Sequence, residues 1–383
     1  MSTAEFHELE IASVRPQSDV AVSLSFSVPQ ALRESYRFIA GQYLTLRASI
    51  DGQDVRRSYS ICSAVQQTDD QRFGGQTAAG QKSGEQATLL EVGIKSVPGG
   101  LFSNYAMGLV AGDKVQVMTP QGRFTAPIGG RHRYLLLAVG SGITPCLSIA
   151  RSVLGGEPDS RITLVYGNRT SSAMMFRDDI LALKDRHMDR FRLLNIMSAE
   201  QQEAALLNGR IDREKIDALA KQGVLVPDQY DACYICGPQQ MMEQTSAALQ
   251  GKGVSQDRIH MELFVADGAG KERAKPQRPV RSTERGSNEA GIEVTVMIDG
   301  LQRQISVNPA TDTVLSAAQR AGLDLPFSCA GGMCCTCRCK VKSGNTLMDM
   351  NYSLAEWEIK AGYTLACQTR PVDTPVTLDF DAT

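Results

Sequence analysis

Five cysteines fall within eleven residues toward the C-terminal end of the sequence. Cys329, Cys334 and Cys337 follow the spacing C-x4-C-x2-C, and Cys367 stands alone downstream. This spacing is typical of the four thiolate ligands of a plant-type [2Fe-2S] cluster. Two consecutive glycines between the first two ligands favour a tight loop, because glycine lets backbone N–H groups come close to sulfur. The pattern predicts a domain that folds around two irons and carries one electron at a time.

Two other kinds of cysteine site are alternatives. A zinc site holds one ion and usually combines two closely spaced cysteine pairs, whereas Cys367 has no close partner of its own. A disulfide framework is typical of secreted chains, and the first residues show no signal-peptide pattern. Two cysteines exceed the four ligands. Cys339 is expected in the core of the small domain, and Cys335 is either an exposed thiol or an alternative ligand.

Length and composition bound the class of protein. The 383 residues are expected to form two or three domains. A content of 42% hydrophobic and 21% charged residues is ordinary for a globular protein. The formal net charge of −2 offers no electrostatic reason to expect a nucleic-acid partner, and the best apolar run, residues 134–139, is too short to span a bilayer. We therefore expect a cytoplasmic protein with no nucleic acid and no membrane as a partner.

The hydrophobic patterns predict a multidomain fold. Residues 1–126 contain short runs that alternate apolar and polar side chains, which predicts an antiparallel β-barrel. Residues 127–265 alternate apolar strands with helical segments, which predicts a doubly wound α/β domain with a parallel sheet. Residues 291–383 combine a hairpin, a helix and the cysteine loop, and are expected to form a compact α+β domain of β-grasp-like type.

Two segments lack the apolar residues that a core needs. Residues 266–290 are rich in Gly, Pro, Ser and basic residues, which predicts a flexible linker. Its positive charge either keeps it solvated or contacts an acidic partner. Residues 66–88 are rich in Gln, Gly and Ser and are predicted to form a mobile surface loop. A flexible linker would let the C-terminal domain swing between an electron donor and an acceptor.

A glycine-rich turn marks a second candidate site. The sequence GSGITP begins at Gly140, between a predicted buried strand and a predicted helix. Such a turn exposes backbone N–H groups, and the helix N-terminus favours the negative charge of a diphosphate. Gly140, Gly142 and Thr144 are therefore candidate ligands of a dinucleotide, and a tight turn without a ligand is the alternative.

Two further motifs lie in the β-rich region. The sequence RSYS covers residues 57–60, and GGLFS covers residues 99–103. An arginine can pair with a diphosphate, a tyrosine ring can stack on a planar heterocycle, and a serine hydroxyl can reach a ring nitrogen. The candidate cofactor-binding residues are Arg57, Ser58, Tyr59, Ser60, Gly99, Gly100, Leu101, Phe102 and Ser103.

These motifs, followed in the same order by Cys236-Gly237-Pro238, resemble the ferredoxin–NADP⁺ reductase superfamily. The resemblance covers residues 1–265, and the cysteine pattern extends it through a C-terminal ferredoxin domain. The order of flavin, nicotinamide and ferredoxin domains is similar to that in reductase components of bacterial oxygenases. Residues 348–371 are especially similar to reductases of the phenylacetyl-CoA epoxidase type.

The resemblance implies an FAD site and roles for single residues. Arg57 would contact the FAD diphosphate, Tyr59 would stack on the isoalloxazine ring, and Ser60 would hydrogen-bond near flavin N5. The segment from Gly100 to Ser103 would complete the diphosphate site. The resemblance also implies that the GSGITP turn faces the nicotinamide dinucleotide.

Three residues near the end of the second domain complete the implied site. Cys236 would lie beside the nicotinamide ring and position it for hydride transfer. Glu262 and Phe264 resemble the acidic and aromatic residues near the flavin in the family. The catalytic candidates are therefore Ser60, Cys236 and Glu262. A redox dithiol of Cys233 and Cys236 is disfavoured, because strand alternation puts the two side chains on opposite faces.

The choice between NADPH and NADH depends on Arg169. It follows the second predicted strand of the α/β domain, where the adenosine ribose is expected. An arginine there suits the 2′-phosphate of NADPH, and Arg177 could assist. A solvated arginine with no role in binding is the alternative.

The resemblance implies a relay of electrons from NADPH through FAD and the cluster to an oxygenase component. A diiron monooxygenase of the phenylacetyl-CoA epoxidase type is the expected acceptor. A Rieske-type steroid or aromatic-ring hydroxylase is the first alternative. A redox-sensing or scaffold protein without turnover, and a zinc-bearing module that only binds a partner, are alternatives of other classes.

Overall fold

A computed structural model describes residues 5–65, 88–264, 291–354 and 356–382. The chain divides into two compact units, Met1–Ala266 and Asp267–Thr383. The predicted linker lies outside the described residues, as does the predicted surface loop except for its last residue. The boundary predicted at residues 126 and 127 stays a prediction. Across the described ranges, no helix combines the length and hydrophobicity needed to cross a bilayer.

The first sheet is antiparallel and closes into a barrel, which confirms the prediction. Its strands are β1 (Phe6–Ser18), β2 (Ala21–Val28), β3 (Tyr43–Ile50), β4 (Gln53–Ser60), β5 (Thr88–Lys95) and β6 (Lys114–Met118), and helix α1 (Leu101–Ala106) follows β5. The strand order is β4-β3-β6-β1-β2-β5. Past the end of β4, Ile61 bridges to Val92 of β5 and the Cys62 N–H donates to the Glu91 carbonyl at 2.8 Å. These contacts join the two edge strands around an apolar core.

The second sheet is parallel and doubly wound, as predicted. Its elements are β7 (Arg133–Val139), α2 (Ile143–Gly156), β8 (Arg161–Asn168), α3 (Arg177–Arg186), β9 (Phe191–Met197), α4 (Arg213–Lys221), β10 (Ala232–Gly237), α5 (Gln239–Gln250) and β11 (Ile259–Leu263). The strand order is β11-β10-β7-β8-β9. Alternating residues of β7 and β8 pack against α2 and α3 on one face and against α4 and α5 on the other. The chain order reverses between β7 and β10, so the sheet has a switch point there.

A network of charged side chains connects the barrel to the parallel sheet. Arg151 of α2 donates to the Cys62 carbonyl at 2.7 Å and to Glu91 at 3.1 Å, and it also pairs with Asp179 of α3. Arg15 of β1 donates to Glu91 at 2.6 Å. The Glu91 side chain is only 10% exposed. Because these groups come from β1 and β5 of the barrel and from α2 and α3 beside the parallel sheet, the network holds the two parts in one arrangement.

The second unit is an α+β domain, as predicted. Its elements are β12 (Ile292–Ile298), β13 (Leu301–Val307), α6 (Val314–Arg320), β14 (Arg338–Ser343), β15 (Thr346–Met348), α7 (Glu356–Lys360), β16 (Tyr363–Leu365), β17 (Thr369–Pro371) and β18 (Val376–Asp379). Five strands form a sheet in the order β13-β12-β18-β14-β16, and β15 pairs with β17. A capping box between Thr313 and Ser316 starts α6. The loop from α6 to β14 contains Cys329, Cys334 and Cys337.

Candidate functional site

The GSGITP turn lies at the switch point of the parallel sheet. A 3-10 turn, Gly140–Gly142, follows β7 and leads directly into α2. A Cβ atom on Gly142 would lie 2.2 Å from the carbonyl oxygen of Cys236, so only glycine allows the turn to lie against the end of β10. Gly140 has a φ of +57°, which also favours glycine. Ligands of doubly wound sheets bind at this place, outside the carboxyl ends of the strands.

The N-terminus of α2 has the features of a diphosphate site. No side chain caps the helix, and Thr144 Oγ1 donates to the Ser141 carbonyl at 3.0 Å. The Tyr166 hydroxyl, from the neighbouring strand β8, stabilises the turn by donating to the Gly140 carbonyl at 3.1 Å. Lys95 was not predicted from the sequence, yet its Nζ lies 4.0 Å from the place of a Cβ on Gly140. No motif marks this lysine, because it reaches the turn from β5 of the barrel.

The three catalytic candidates meet at the same place. Ser60 ends β4, and its hydroxyl donates to Glu262 Oε2 at 3.0 Å. Glu262 lies opposite Cys236 in the register of β11 and β10. Cys236 is fully buried, and burial followed by the charge of Glu262 raises the pKa of its thiol well above the ordinary value. Phe264 packs against the core cluster that contains Cys236. A buried neutral thiol at this position can pack against a ring but is a poor nucleophile.

The flavin candidates lie on two adjoining elements of the barrel. The Tyr59 ring lies 5.7 Å from the Phe102 ring at an angle of 43°. Arg57 donates to the carbonyl of its neighbour Arg56 at 2.8 Å, and the Ser58 and Thr45 hydroxyls are 3.3 Å apart.

The GGLFS segment forms the turn before α1. Gly99 has a φ of +74° and Gly100 is the N-cap of α1. Phe102 and Ser103 are buried, whereas Leu101 is exposed. Ser103 Oγ accepts from the Val97 N–H at 3.4 Å. The half-buried aromatic ring of Tyr59, next to a glycine turn, fits a planar heterocycle joined to a diphosphate.

Arg169 lies one strand away from the switch point. It is exposed just past the end of β8, and its carbonyl accepts from the Ala199 N–H at 2.8 Å. Glu200, which follows β9, was not predicted from the sequence. Its carboxylate accepts from the Ser171 N–H at 2.6 Å and the Ser171 hydroxyl at 2.9 Å, and these bonds lower its pKa. Basic and acidic groups therefore both lie where the adenosine ribose is expected.

Cys233 and Cys236 lie on opposite faces of β10, as alternation predicts. Cys233 belongs to the core cluster beneath α4 and α5, and Cys236 belongs to the cluster beneath α2 and α3. Burial raises the pKa of Cys233 to about 12. The geometry does not bring the two thiols together as a redox pair.

The four predicted cluster ligands come together in two pairs. Cys329 and Cys334 share a side-chain hydrogen bond, which lowers the pKa of Cys329 and raises that of Cys334. Cys337 and Cys367 share a hydrogen bond in the same way, so that the pKa of Cys367 falls and that of Cys337 rises. Two irons with two terminal thiolates each need this grouping.

The cysteine loop also directs N–H donors at sulfur. The Gly331 and Cys334 N–H groups each donate to Cys329 Sγ at 3.4 Å. In the described ranges, no three His, Cys, Asp or Glu side chains have the spacing that a single metal ion needs. The paired thiols and the N–H donors fit a two-iron cluster.

The two surplus cysteines differ. Cys339 is fully buried on β14, with its thiol 3.9 Å from the Thr364 carbonyl, as expected for a core residue. Cys335 is half-buried and has a φ of +58°, which a residue with a Cβ rarely adopts.

Two family models match parts of this chain. Residues 136–247 match the family described as oxidoreductase NAD-binding domain, and residues 296–372 match the 2Fe-2S iron-sulfur cluster binding domain. The sequence is 42% identical to one of the subunits of 1,2-phenylacetyl-CoA epoxidase from Escherichia coli, over 98% of each chain. It is 31% identical to the ferredoxin reductase component of 3-ketosteroid-9-alpha-monooxygenase of Mycobacterium tuberculosis, over 98% of this chain and 96% of that one.

A solved structure shares the whole architecture. Phthalate dioxygenase reductase is described as a modular structure for electron transfer from pyridine nucleotides to [2Fe-2S]. Its TM-score to this chain is 0.56, with 22% sequence identity and 98% of each chain covered. At this identity the likeness concerns the fold.

Proposed function

Because this chain belongs to the ferredoxin–NADP⁺ reductase superfamily, in the family of oxygenase reductases with a C-terminal 2Fe-2S domain, we propose that it oxidises NADPH and passes the electrons singly to an oxygenase component. One observation carries the proposal. The same chain combines Ser60, Glu262 and Cys236 at the switch point of an NAD-binding domain with four paired thiols in a cluster-binding domain. A two-electron donor and a one-electron carrier need a converter between them.

FAD is the proposed converter, since when bound it accepts two electrons together and releases them singly. Tyr59 would stack on the isoalloxazine ring of FAD. Arg57 and Ser58 would bind its diphosphate and its ribitol chain. Gly99, Gly100, Leu101, Phe102 and Ser103 would complete the diphosphate site. Ser60 would place its hydroxyl at the reacting edge of the ring.

The nicotinamide dinucleotide is proposed to bind at the neighbouring turn. Gly140, Gly142 and Thr144 would bind its diphosphate, with Lys95 adding a positive charge. Cys236 would pack against the nicotinamide ring and exclude water from it. Glu262, held by Ser60, and the nearby Phe264 would close the site on the other side.

NADPH is the proposed donor because of Arg169 at the end of β8. Arg169→Met should raise KM for NADPH by about tenfold, the effect of losing one hydrogen bond to a charged group, and leave KM for NADH unchanged. Arg161→Met is the matched control, since Arg161 starts the same strand at its opposite end. Equal effects of Arg169→Met on both nucleotides would contradict this assignment.

A diiron monooxygenase of the phenylacetyl-CoA epoxidase type is the proposed acceptor. The 42% identity over the whole chain to a component of such an epoxidase supports it. A Rieske-type steroid hydroxylase is the second candidate, supported by the 31% identity to a steroid monooxygenase reductase. Mixing the protein with each oxygenase component and measuring NADPH-dependent product decides between them. Product with the steroid component alone would overturn the first assignment.

The central experiment is spectroscopic. Purified protein should contain FAD, two irons and two acid-labile sulfides per chain, with Cys329, Cys334, Cys337 and Cys367 as ligands. Anaerobic addition of NADPH should bleach the flavin and produce the EPR signal of a reduced [2Fe-2S] cluster. Rapid reduction of cytochrome c by NADPH would contradict a scaffold without turnover, whereas protein without iron and sulfide would refute the relay.

We also propose that the protein works in the cytoplasm. All ten cysteines are unbridged, as expected for a reducing compartment that supplies NADPH. Cell fractionation with an antibody tests this location.

A further inference from the structure

Gln368 follows the fourth predicted cluster ligand and is almost completely buried, with 6% of its surface exposed. Its backbone is held on both sides. Its N–H donates to the Leu365 carbonyl at 2.8 Å, and its carbonyl accepts from the Asp349 N–H at 2.8 Å. The side chain therefore leaves a fixed backbone and extends toward the cysteine loop.

The side-chain amide of Gln368 donates to two acceptors. Its Nε2 lies 3.1 Å from the Ala330 carbonyl and 3.7 Å from Cys367 Sγ. An amide nitrogen carries two hydrogens, so each acceptor receives one. The reversed amide would put its oxygen against a carbonyl and a sulfur, which both accept. The surroundings therefore determine that the donor faces the sulfur.

Gly332 makes room for this arrangement. It has a φ of +77°, and a Cβ on it would lie 3.1 Å from Gln368 Cγ and 3.0 Å from the Met350 carbonyl oxygen. A larger residue would push either the loop or the glutamine away. The loop backbone, Gln368 and Cys367 therefore form one packed unit.

We propose that Gln368 raises the reduction potential of the cluster by donating a hydrogen bond to the ligand sulfur of Cys367. The inference rests on the proposed function, in which Cys367 binds iron. Added negative charge spreads to the ligand sulfurs on reduction, so an N–H donor stabilises the reduced state more than the oxidised state. Burial strengthens the bond because little water competes for the donor. Gln368 is a positioning residue that acts through Cys367.

The test is a redox titration of the full-length holoprotein, followed by EPR. Gln368→Met keeps the side-chain length and removes the donor, and Gln368→Glu replaces the donor with a negatively charged acceptor. A hydrogen bond to a charged acceptor changes an equilibrium constant by roughly tenfold. At the midpoint potential of the parent, the reduced fraction in Gln368→Met should therefore fall from half to roughly a tenth, and in Gln368→Glu further.

The matched control is Gln304→Met. It makes the same exchange at an exposed position on β13. This strand lies at the opposite edge of the sheet from β16, the strand that leads to Cys367 and Gln368. It should leave the potential unchanged. Iron and sulfide analysis of every variant shows whether the cluster is complete.

The outcomes separate this inference from the proposed function. A parent protein without iron would refute the proposed function. A complete cluster in Gln368→Met with the potential of the parent would overturn only the role of Gln368. If both variants fail to bind two irons while Gln304→Met binds them, Gln368 is needed for assembly and the tuning role is overturned as well.

Discussion

Ser60 Oγ donates to Glu262 Oε2 at 3.0 Å, although 202 positions separate the two residues in the sequence. Ser60 is the last residue of β4 in the barrel, and Glu262 belongs to the last strand of the parallel sheet. The bond therefore joins the proposed flavin site to the proposed nicotinamide site, next to the buried Cys236. The site depends on how the two sheets are held together.

Loss of this bond should slow flavin reduction. Ser60→Ala should lower the rate by about tenfold, because one hydrogen bond to a charged group is removed where the two rings must meet. Anaerobic stopped-flow mixing with NADPH measures the bleaching of the flavin. Ser49→Ala, at an exposed position of β3, is the control and should react like the parent. A parental rate in flavin-loaded Ser60→Ala would exclude the proposed role.

Gly93 determines how closely the barrel approaches the parallel sheet. A Cβ there would lie 2.7 Å from both Phe176 Cε2 and Thr144 Cγ2. Gly93→Ala should therefore displace Phe176 and destabilise the first unit by about 1–3 kcal/mol, as overpacking does. Thermal release of flavin fluorescence measures the loss. Gly155→Ala adds the same methyl group in α2 with no atom within 4 Å, and should be neutral or slightly stabilising. Equal midpoints for the two variants would contradict the close contact.

Arg151 should contribute strongly to stability because its partner Glu91 is largely buried. Arg151→Met leaves Glu91 and Asp179 to share Arg15 as their remaining cationic partner, which should cost about 3 kcal/mol. The flavin-release midpoint should fall accordingly. Lys252→Met removes an ion pair with Asp217, whose side chain is 49% exposed, and should cost less than about 1 kcal/mol. A larger loss for Lys252→Met than for Arg151→Met would refute the argument from burial.

The lowered pKa of Glu91 makes the stability of the folded protein depend on pH. Burial alone would raise its pKa, but the hydrogen bond from Arg15 and the charges of Arg151 and Arg15 outweigh burial and hold the pKa below the ordinary 4.5. A depressed pKa stabilises the folded state above about pH 4.5, and this stability is lost as the pH falls through the folded pKa. The gap in stability between the parent and Glu91→Gln should therefore be greatest near neutrality and shrink on acidification. A gap that stays constant from about pH 6 to pH 3 would contradict this linkage.

Cys335 should not be a cluster ligand. Cys335→Ala should retain two irons and two sulfides per chain, whereas Cys367→Ala should lose the cluster, because Cys367 is paired with Cys337. Iron analysis and the visible spectrum measure both. Since Cys335 has a positive φ, Cys335→Gly should also relieve backbone strain and raise the thermal midpoint by the equivalent of about 1 kcal/mol. Loss of iron in Cys335→Ala would make it the alternative ligand.

Local patterns were sufficient to predict the fold class of the barrel, of the parallel α/β part and of the C-terminal α+β domain. The apolar run of residues 134–139 depends on side chains that are near in sequence, and the structure has β7 there. The glycine turn before α2 and the spacing C-x4-C-x2-C are likewise local, because a ligand approached by backbone N–H groups, or an iron held by near neighbours, constrains a short segment.

Contacts between distant segments were not predictable in this way. Lys95 reaches the Gly140 turn, Gly93 contacts Phe176, and the Gln368 side chain donates to the Ala330 carbonyl, but no motif marks Lys95, Gly93 or Gln368. Each contact depends on which segments become neighbours in the fold and on how far a side chain extends from one segment to the other.

The sequence by itself thus determined which chemical groups the protein carries and which short loops present them. Only the tertiary structure decided that Ser60 holds Glu262 beside Cys236 and that the four thiols group two and two. The physical reason is that ligand type and loop geometry depend on neighbouring residues, whereas distances between sites depend on the packing of whole sheets.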